Sequence, residues 1–307
     1  MDGHEVTPGL PNQLCSLGAL PPELVDLVFE HTLYDKETIQ ACTLVSRSWR
    51  AVSAPHLFSS LTVVRQASFD DFDGFLIARP DIASCIRELE LKQVPDDLDI
   101  GSPHAAVASA ALAALSAKLP GLQVLRLRRM WISDSSLESP TSVGPAVQRP
   151  RMKSLTLHDC SNGSDSLISL RTLHGVLETF PADSVSLFYL TIADASDPDT
   201  QAGARWSQLH IEDLTFYHVH AQPVALRLLD DLRQILAPHC LRSLRARLEN
   251  MYTRNTVFLS VLSEFLIHIG GPQLRHLEFP FPVGSVIGPQ EDDPGMQPTR
   301  ITTCAHC

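Results

Sequence analysis

Long apolar runs are missing from this chain. No stretch of 18 uncharged apolar residues occurs; the nearest approach, Ala105 to Ala117, is an alanine-rich run of 13 residues that suits a buried helix better than a membrane span. Basic charge is short as well. The 24 Lys and Arg against 35 Asp and Glu leave a net charge of −11, which argues against a general binder of nucleic-acid phosphates. Neither a membrane nor a nucleic acid is therefore an expected partner. The seven cysteines are odd in number and scattered, so no disulfide framework is expected, and a reducing compartment, cytoplasm or nucleus, fits best. The first 18 residues hold no basic n-region and no apolar run of seven, which argues against a secretory signal; they read as a disordered tail.

Reactive constellations are equally sparse. No Gly-x-Ser-x-Gly motif occurs, and Ser46 and Ser48 have no paired base. Asp70-Asp71 and Asp96-Asp97 are adjacent carboxylates without the setting of an acid–base pair. His218-x-His220 has no cysteine or carboxylate at metal-ligand spacing, and Cys304-x-x-Cys307 with His306 is half of a metal knuckle or a redox pair without a second half. No cofactor, metal or catalytic residue is assigned, and the chain is not expected to be an enzyme.

What is present begins at residue 19. With 307 residues and 44% hydrophobic content, one large or two smaller globular domains are expected. Residues 19–61 carry three helical runs separated by breakers. Pro21 and Pro22 open the first, where a missing amide hydrogen costs little, and Leu24, Leu27, Val28 and Leu33 fall close to one face. Asp35 is a candidate N-cap for the second run, whose inner face can be formed by Ile39, Cys42, Thr43 and Val45. Ser46 can cap a third helix holding Trp49 and Val52 and ended by Pro55. A unit this small buries little of its own apolar surface and should lean on a partner or on the rest of the chain.

Leu20-Pro21-Pro22-Glu23-Leu24, Val28-Phe29 and Leu44-Val45-Ser46-Arg47-Ser48-Trp49-Arg50 together resemble the F-box, and Ala54-Pro55-His56-Leu57-Phe58 is similar to the extension found in fungal members. Ser48 departs from the bulkier or cysteine residue that many members carry before the tryptophan. The resemblance implies a three-helix module docking on a Skp-family adaptor, and through it on a cullin. It further implies a docking face of Leu20, Pro21, Leu24, Val28, Leu44 and Val45, with Trp49 supporting the helices.

Downstream, the pattern apolar-x-x-apolar-x-apolar recurs. It starts at Ile86, Leu122, Met152, Val185, Ile211, Leu241 and Leu274, with steps of 26 to 36 residues. Each occurrence reads as a short strand. Helices are expected between them over Ala105–Leu119, Leu167–Phe180, Val224–Leu236 and Thr256–Ile269. Val94–Pro103, Ser133–Pro150 and Asp194–Gly203 read as polar insertions. The fold class is therefore α+β or α/β: the F-box-like helices, then an irregular solenoid with parallel strands over residues 62–283, similar to a degenerate leucine-rich-repeat domain, then a disordered tail over 284–307. An open doubly wound α/β sheet, with an enzyme built on it, is the alternative, although no glycine-rich phosphate loop follows any strand.

Alternation along the strands turns a set of side chains away from the core. Its outward members include Glu88, Glu90, Lys92, Arg126, Arg128, His158, Leu187, Tyr189, Tyr217, Arg245 and Arg247. Arg126, Arg128, Tyr189, Tyr217, Arg245 and Arg247 are the candidate substrate-binding residues, suited to acidic or phosphorylated groups. The expected function is that of a substrate-recognition adaptor in an SCF-type ubiquitin ligase, holding an unknown target protein. A scaffold acting outside ubiquitination is the second reading.

Overall fold

The computed structural model describes residues 21–32, 35–65, 69–93, 107–133, 151–161, 168–190, 208–219, 222–248 and 256–278. The expected tails, Leu20, Leu33, His220, the Cys304–Cys307 pair and the polar insertions apart from Ser133 lie outside these residues. The chain divides into two compact units, with the boundary between Ser60 and Leu61.

The first unit is three helices: α1 (Pro22–His31), α2 (Lys36–Val45) and α3 (Arg47–Leu57). Local chemistry sets their starts. Pro21 precedes α1 at φ −54°, so the proline pair enters the helix in a conformation it already prefers. Asp35 caps α2 by accepting from the Thr38 amide at 3.0 Å and the Thr38 hydroxyl at 2.6 Å; Ser46 caps α3 by accepting from the Trp49 amide at 3.2 Å. Those contacts hold the Asp35 carboxyl below its ordinary pKa, the Thr38 hydroxyl being the larger cause. α3 continues through Pro55 to Leu57 instead of ending at the proline. Two residues from the helix end, the missing amide hydrogen forfeits a single helical hydrogen bond, and the Phe58 amide still donates to the Ala54 carbonyl at 3.0 Å.

The core of this unit is small. Val25, Phe29 and Ile39 are buried, with Cys42, Trp49, Val52 and Leu57 packed against them. Phe29 meets Trp49 edge-on, with ring centres 6.2 Å apart, and stacks on His56 at 5.1 Å. On α1 the inward stripe is therefore Val25 and Phe29, not the Leu24–Leu27–Val28 stripe expected from spacing, and Val45 on α2 faces outward. Both α1 stripes obey helical spacing; the one carrying the larger ring is the one that finds partners.

The second unit is a mixed α/β structure on a mostly parallel sheet. Its eight strands are β1 (Ser60–Arg65), β2 (Glu88–Gln93), β4 (Val124–Arg128), β6 (Met152–His158), β7 (Ala182–Phe188), β8 (Asp213–Val219), β9 (Ser243–Leu248) and β10 (His276–Glu278), lying in that spatial order. From β2 to β10 every neighbouring pair is parallel. Strand order thus follows chain order, whereas a doubly wound sheet reverses direction once. Two very short strands, β3 (Val107–Ala108) and β5 (Ile132–Ser133), pair separately, and β3 occupies the first turn of the helix expected from Ala105.

Helices occupy five of the connections: α4 (Asp70–Ala78) and α5 (Pro80–Ala83) in one, neither signalled by the repeat pattern, then α6 (Ser109–Ala117), α7 (Leu170–Thr179), α8 (Gln222–Ile235) and α9 (Thr256–Phe265) in one each. A π-helical turn, Leu266–Gly270, extends α9. Leu112, Leu115, Leu173, Val176, Leu177, Leu228, Leu229, Leu232 and Leu262 meet Leu89, Leu91, Leu125, Leu127, Leu155, Leu157, Leu214 and Leu244 of the strands in one continuous core. Parallel sheets are commonly buried on both faces. Here burial alternates along β2 and β4, so one face packs on helices and the other stays open.

The repetition is visible in the backbone. The carbonyl before one strand accepts two amides from the start of the next: Arg87 from Gln123 and Val124, Gln123 from Lys153 and Ser154, Glu212 from Arg242 and Ser243, Arg242 from Arg275 and His276. At the other end, Arg129, Asp159 and Tyr189 follow β4, β6 and β7 in left-handed conformations (φ 53°, 55° and 53°). A buried residue comes next each time: Met130, Cys160 and Leu190.

One expectation fails at β7. The strand motif falls on Ala182, Val185 and Leu187, because Met152 pairs with Ala182, Leu155 with Val185 and Leu157 with Leu187; of the expected core positions Val185 and Leu190 are buried and Phe188 is not. Leu187 is buried and Phe188 faces outward, the reverse of the expected assignment. Placing the repeat at Ala182 also brings the first positions 122, 152, 182, 211 and 241 to steps of 29 or 30 residues.

Candidate functional site

Two surfaces stand out, one on each unit. On the first, large apolar side chains are left in water. Leu24, Leu27 and Val28 line one stripe of α1, and Leu44 and Val45, 73% and 67% exposed, end α2. Pro21 is exposed as well. Trp49 is different: it is half-buried against Phe29 and acts within the module. Of the residues the resemblance singled out, Pro21, Leu24, Val28, Leu44 and Val45 are thus solvent-facing and Trp49 is internal. Leu27 belongs with the first group and was not singled out, although its place three residues after Leu24 and one before Val28 marks it. On the same helix, Asp26 Oδ1 lies 3.2 Å from His56 Nε2 of α3.

On the second unit, strand register arranges the open face in three rows. The first runs Glu88, Val124, Ser154, Ser184, Asp213, Ser243 and His276; the second Glu90, Arg126, Thr156, Ser186, Thr215, Arg245 and Glu278; the third Lys92, Arg128, His158, Phe188, Tyr217 and Arg247. Arg126 reaches Glu88 at 3.1 Å, Arg128 reaches Glu90 at 3.0 Å, and Arg245 lies 3.9 Å from Glu278. These arginines are half-exposed, so each pair contributes little to stability, but its charge is locally balanced. Arg247 is exposed and forms no ion pair among the described residues.

The third row ends in rings. Phe188 stacks on Tyr217 with centres 5.4 Å apart and planes 16° from parallel, and His158 lies 6.0 Å from Phe188. Tyr189 sits just past β7, 42% exposed, its ring 5.2 Å from His158. Partial burial pushes the His158 pKa down; the nearby Arg128 adds to this and Asp159 opposes it. The structure therefore brings Tyr189, Tyr217, Arg128 and Arg247 toward one end of the face, and adds Phe188 and His158, which were not among the candidate binding residues. His158 was legible as an outward residue; Phe188 was hidden by the misplaced repeat.

Among the described residues, no group of three or more His, Cys, Asp or Glu side chains is placed to hold a metal ion, and no helix is long and apolar enough to cross a membrane. No protein-family model matches the chain, and no curated protein matches it in sequence.

Proposed function

We propose that the chain is a substrate-recognition adaptor of an SCF-type ubiquitin ligase. In this reading residues 19–61 are an F-box that docks on a Skp-family adaptor, which joins a cullin. Residues 62–283 are an irregular leucine-rich-repeat-like solenoid that holds a target protein. One observation carries it: a three-helix unit whose buried core is Val25, Phe29 and Ile39 leaves Leu24, Leu27, Val28, Leu44 and Val45 about half or more exposed. Leaving large aliphatic side chains in water gives up burial energy, and apolar anchors of this kind dominate interface energetics once a partner covers them. The Leu-Pro start and the Ser-Arg-Ser-Trp end supply the family to which such a module would belong. The sequential strand order and the recurring hydrogen bonds at strand starts support a repeat domain behind it.

The test is capture of a purified Skp-family adaptor by the full chain and by a Leu20→Ala, Pro21→Ala variant. Capture by the wild type and its loss in the variant are expected. No capture by the wild type would overturn the reading. A reconstituted ubiquitination assay then separates a ligase subunit from a scaffold that docks the same way.

A further inference from the structure

The open sheet face carries a charge pattern that adaptor docking does not use. Its first row holds Glu88 and Asp213 and no Lys or Arg. Its second holds Arg126 and Arg245 with Glu90 and Glu278, and the ion pairs step diagonally between rows: Arg126 to Glu88 and Arg128 to Glu90, so Arg128 is already answered. Its third holds Lys92, Arg128 and Arg247 and no carboxylate at all, in a chain whose net charge is −11. Between those cations stand His158, Phe188 and Tyr217 in van der Waals sequence, with Tyr189 against His158. The strands that carry the rings present only small hydroxyl side chains in the middle row: Thr156, Ser186 and Thr215. The rings therefore rise above a low floor, and a chain crossing the sheet there would meet them from the side.

Tyr189 adds a backbone observation. It adopts φ 53°, a region that bulky side chains rarely occupy. Arg129 and Asp159 hold the same left-handed position in the two preceding repeats, so the turn belongs to the repeat. At Tyr189 that turn directs an exposed ring to the aromatic row.

We propose that this third row binds an acidic peptide segment that carries an aromatic anchor. The anchor packs against Phe188, Tyr217 and Tyr189, and carboxylates on either side of it pair with Lys92 at one end and Arg247 at the other, Arg128 being held by Glu90. This rests on the reading of the sheet unit as the part that captures a target, and it names the target's chemistry. The span fits. From β2 to β9 there are five strand spacings, about 24 Å at about 4.8 Å each, which about seven extended residues cover. A polyanionic nucleic-acid strand is disfavoured because Glu88, Glu90, Asp213 and Glu278 lie one or two rows away on the same face. A peptide can place its few carboxylates at the third row alone.

The probe is a short labelled peptide with one Trp at its centre and Glu residues on both sides, titrated into the full chain by fluorescence polarisation. Controls are the same peptide with Trp→Ala, the same peptide with every Glu→Gln, and a single-stranded oligothymidine. Binding of the probe at a Kd of about 10 μM is expected, weakened about tenfold by either peptide change and by Arg247→Glu or Phe188→Ala in the protein. Circular dichroism melts of both variants guard against unfolding; Tyr217→Ala serves as the second ring variant should Phe188→Ala unfold. No binding by the probe, equal binding by the all-Gln or Trp→Ala peptide, or tighter binding of the oligothymidine would each overturn the proposal. Skp-family capture is read in parallel. Peptide binding without that capture sinks the ligase reading and leaves this site standing; capture without peptide binding does the reverse.

Discussion

Replacing Leu44 and Val45 together by Ala separates docking from folding. In the free protein these side chains are 73% and 67% exposed, so truncating them removes contacts with water and leaves Val25, Phe29 and Ile39 untouched. Exposed substitutions of this kind fall within about 0.5 kcal/mol in stability, and Ala favours the helix over Val. Docking is another matter. Full burial of a Leu or Val side chain is worth about 1.5–3 kcal/mol. With about seven-tenths of each side chain still to be covered and the β-carbon retained in Ala, the pair should contribute about 2 kcal/mol to the complex. That corresponds to an affinity loss of about thirtyfold. Asp at both positions would go further, since an interface closing over an unpaired carboxylate adds a desolvation penalty. The assay is calorimetric titration of the full chain with a purified Skp-family adaptor, alongside a thermal melt of each variant. The reasoning is refuted by an affinity within about twofold of wild type. It is equally refuted by a melting temperature that falls in step with affinity, which would make Leu44 and Val45 structural.

Phe29→Ala should behave in the opposite way: it removes the buried ring that touches Trp49 and His56, costs about 3–5 kcal/mol, and abolishes adaptor capture by unfolding residues 21–60, while the peptide titration on the sheet unit stays unchanged. His158 has a folded pKa below its unfolded value of about 6.5, so the unfolded chain binds more protons in between. The stability linked to His158 is then fully present above about pH 6.5 and lost as pH falls through the folded value; His158→Gln should flatten the stability profile on the acid side of neutrality, measured by urea melts, and an unchanged slope would count against it. The Cys160 thiol is fully buried and pushed up to about 12, so iodoacetamide at mildly alkaline pH should label it only after denaturant is added, as mass spectrometry of the digested chain would report.

Local chemistry made much of this fold legible before any coordinates. Asp35 and Ser46 cap helices because their side chains accept from amides three residues on, an arrangement that needs no tertiary partner. The strand motif was legible for a similar reason. Two apolar positions separated by one residue must share a face of a strand, and Leu89 with Leu91, Leu125 with Leu127 and Leu155 with Leu157 all do. Orientation was less accessible. The α1 sequence offers Leu24–Leu27–Val28 and Val25–Phe29 as rival stripes, both at helical spacing, and only the ring contacts from α3 decide between them. The pair β3 and β5 was beyond reach because two-residue strands carry no periodicity.

The sharpest failure is also the most informative. Val185-Ser186-Leu187-Phe188-Tyr189-Leu190 is apolar at five of six positions, so it fits the strand motif in two phases that differ by an odd number of residues. An odd shift exchanges the two faces of a strand. Taken alone, the segment favours the phase that buries Phe188, since burying the larger side chain gains more. The neighbouring strands impose the other: Met152 on Ala182 and Leu157 on Leu187 seat a small residue and a leucine inward and turn Phe188 out beside His158 and Tyr217. A repeat whose step is 29 or 30 residues on both sides fixes that phase whatever the local composition prefers. An aromatic residue held outward against its own burial preference, beside others in one row, marks a surface kept for contact and not for the core. In a repeat chain, the apolar residue that disagrees with the repeat is the one to examine for function.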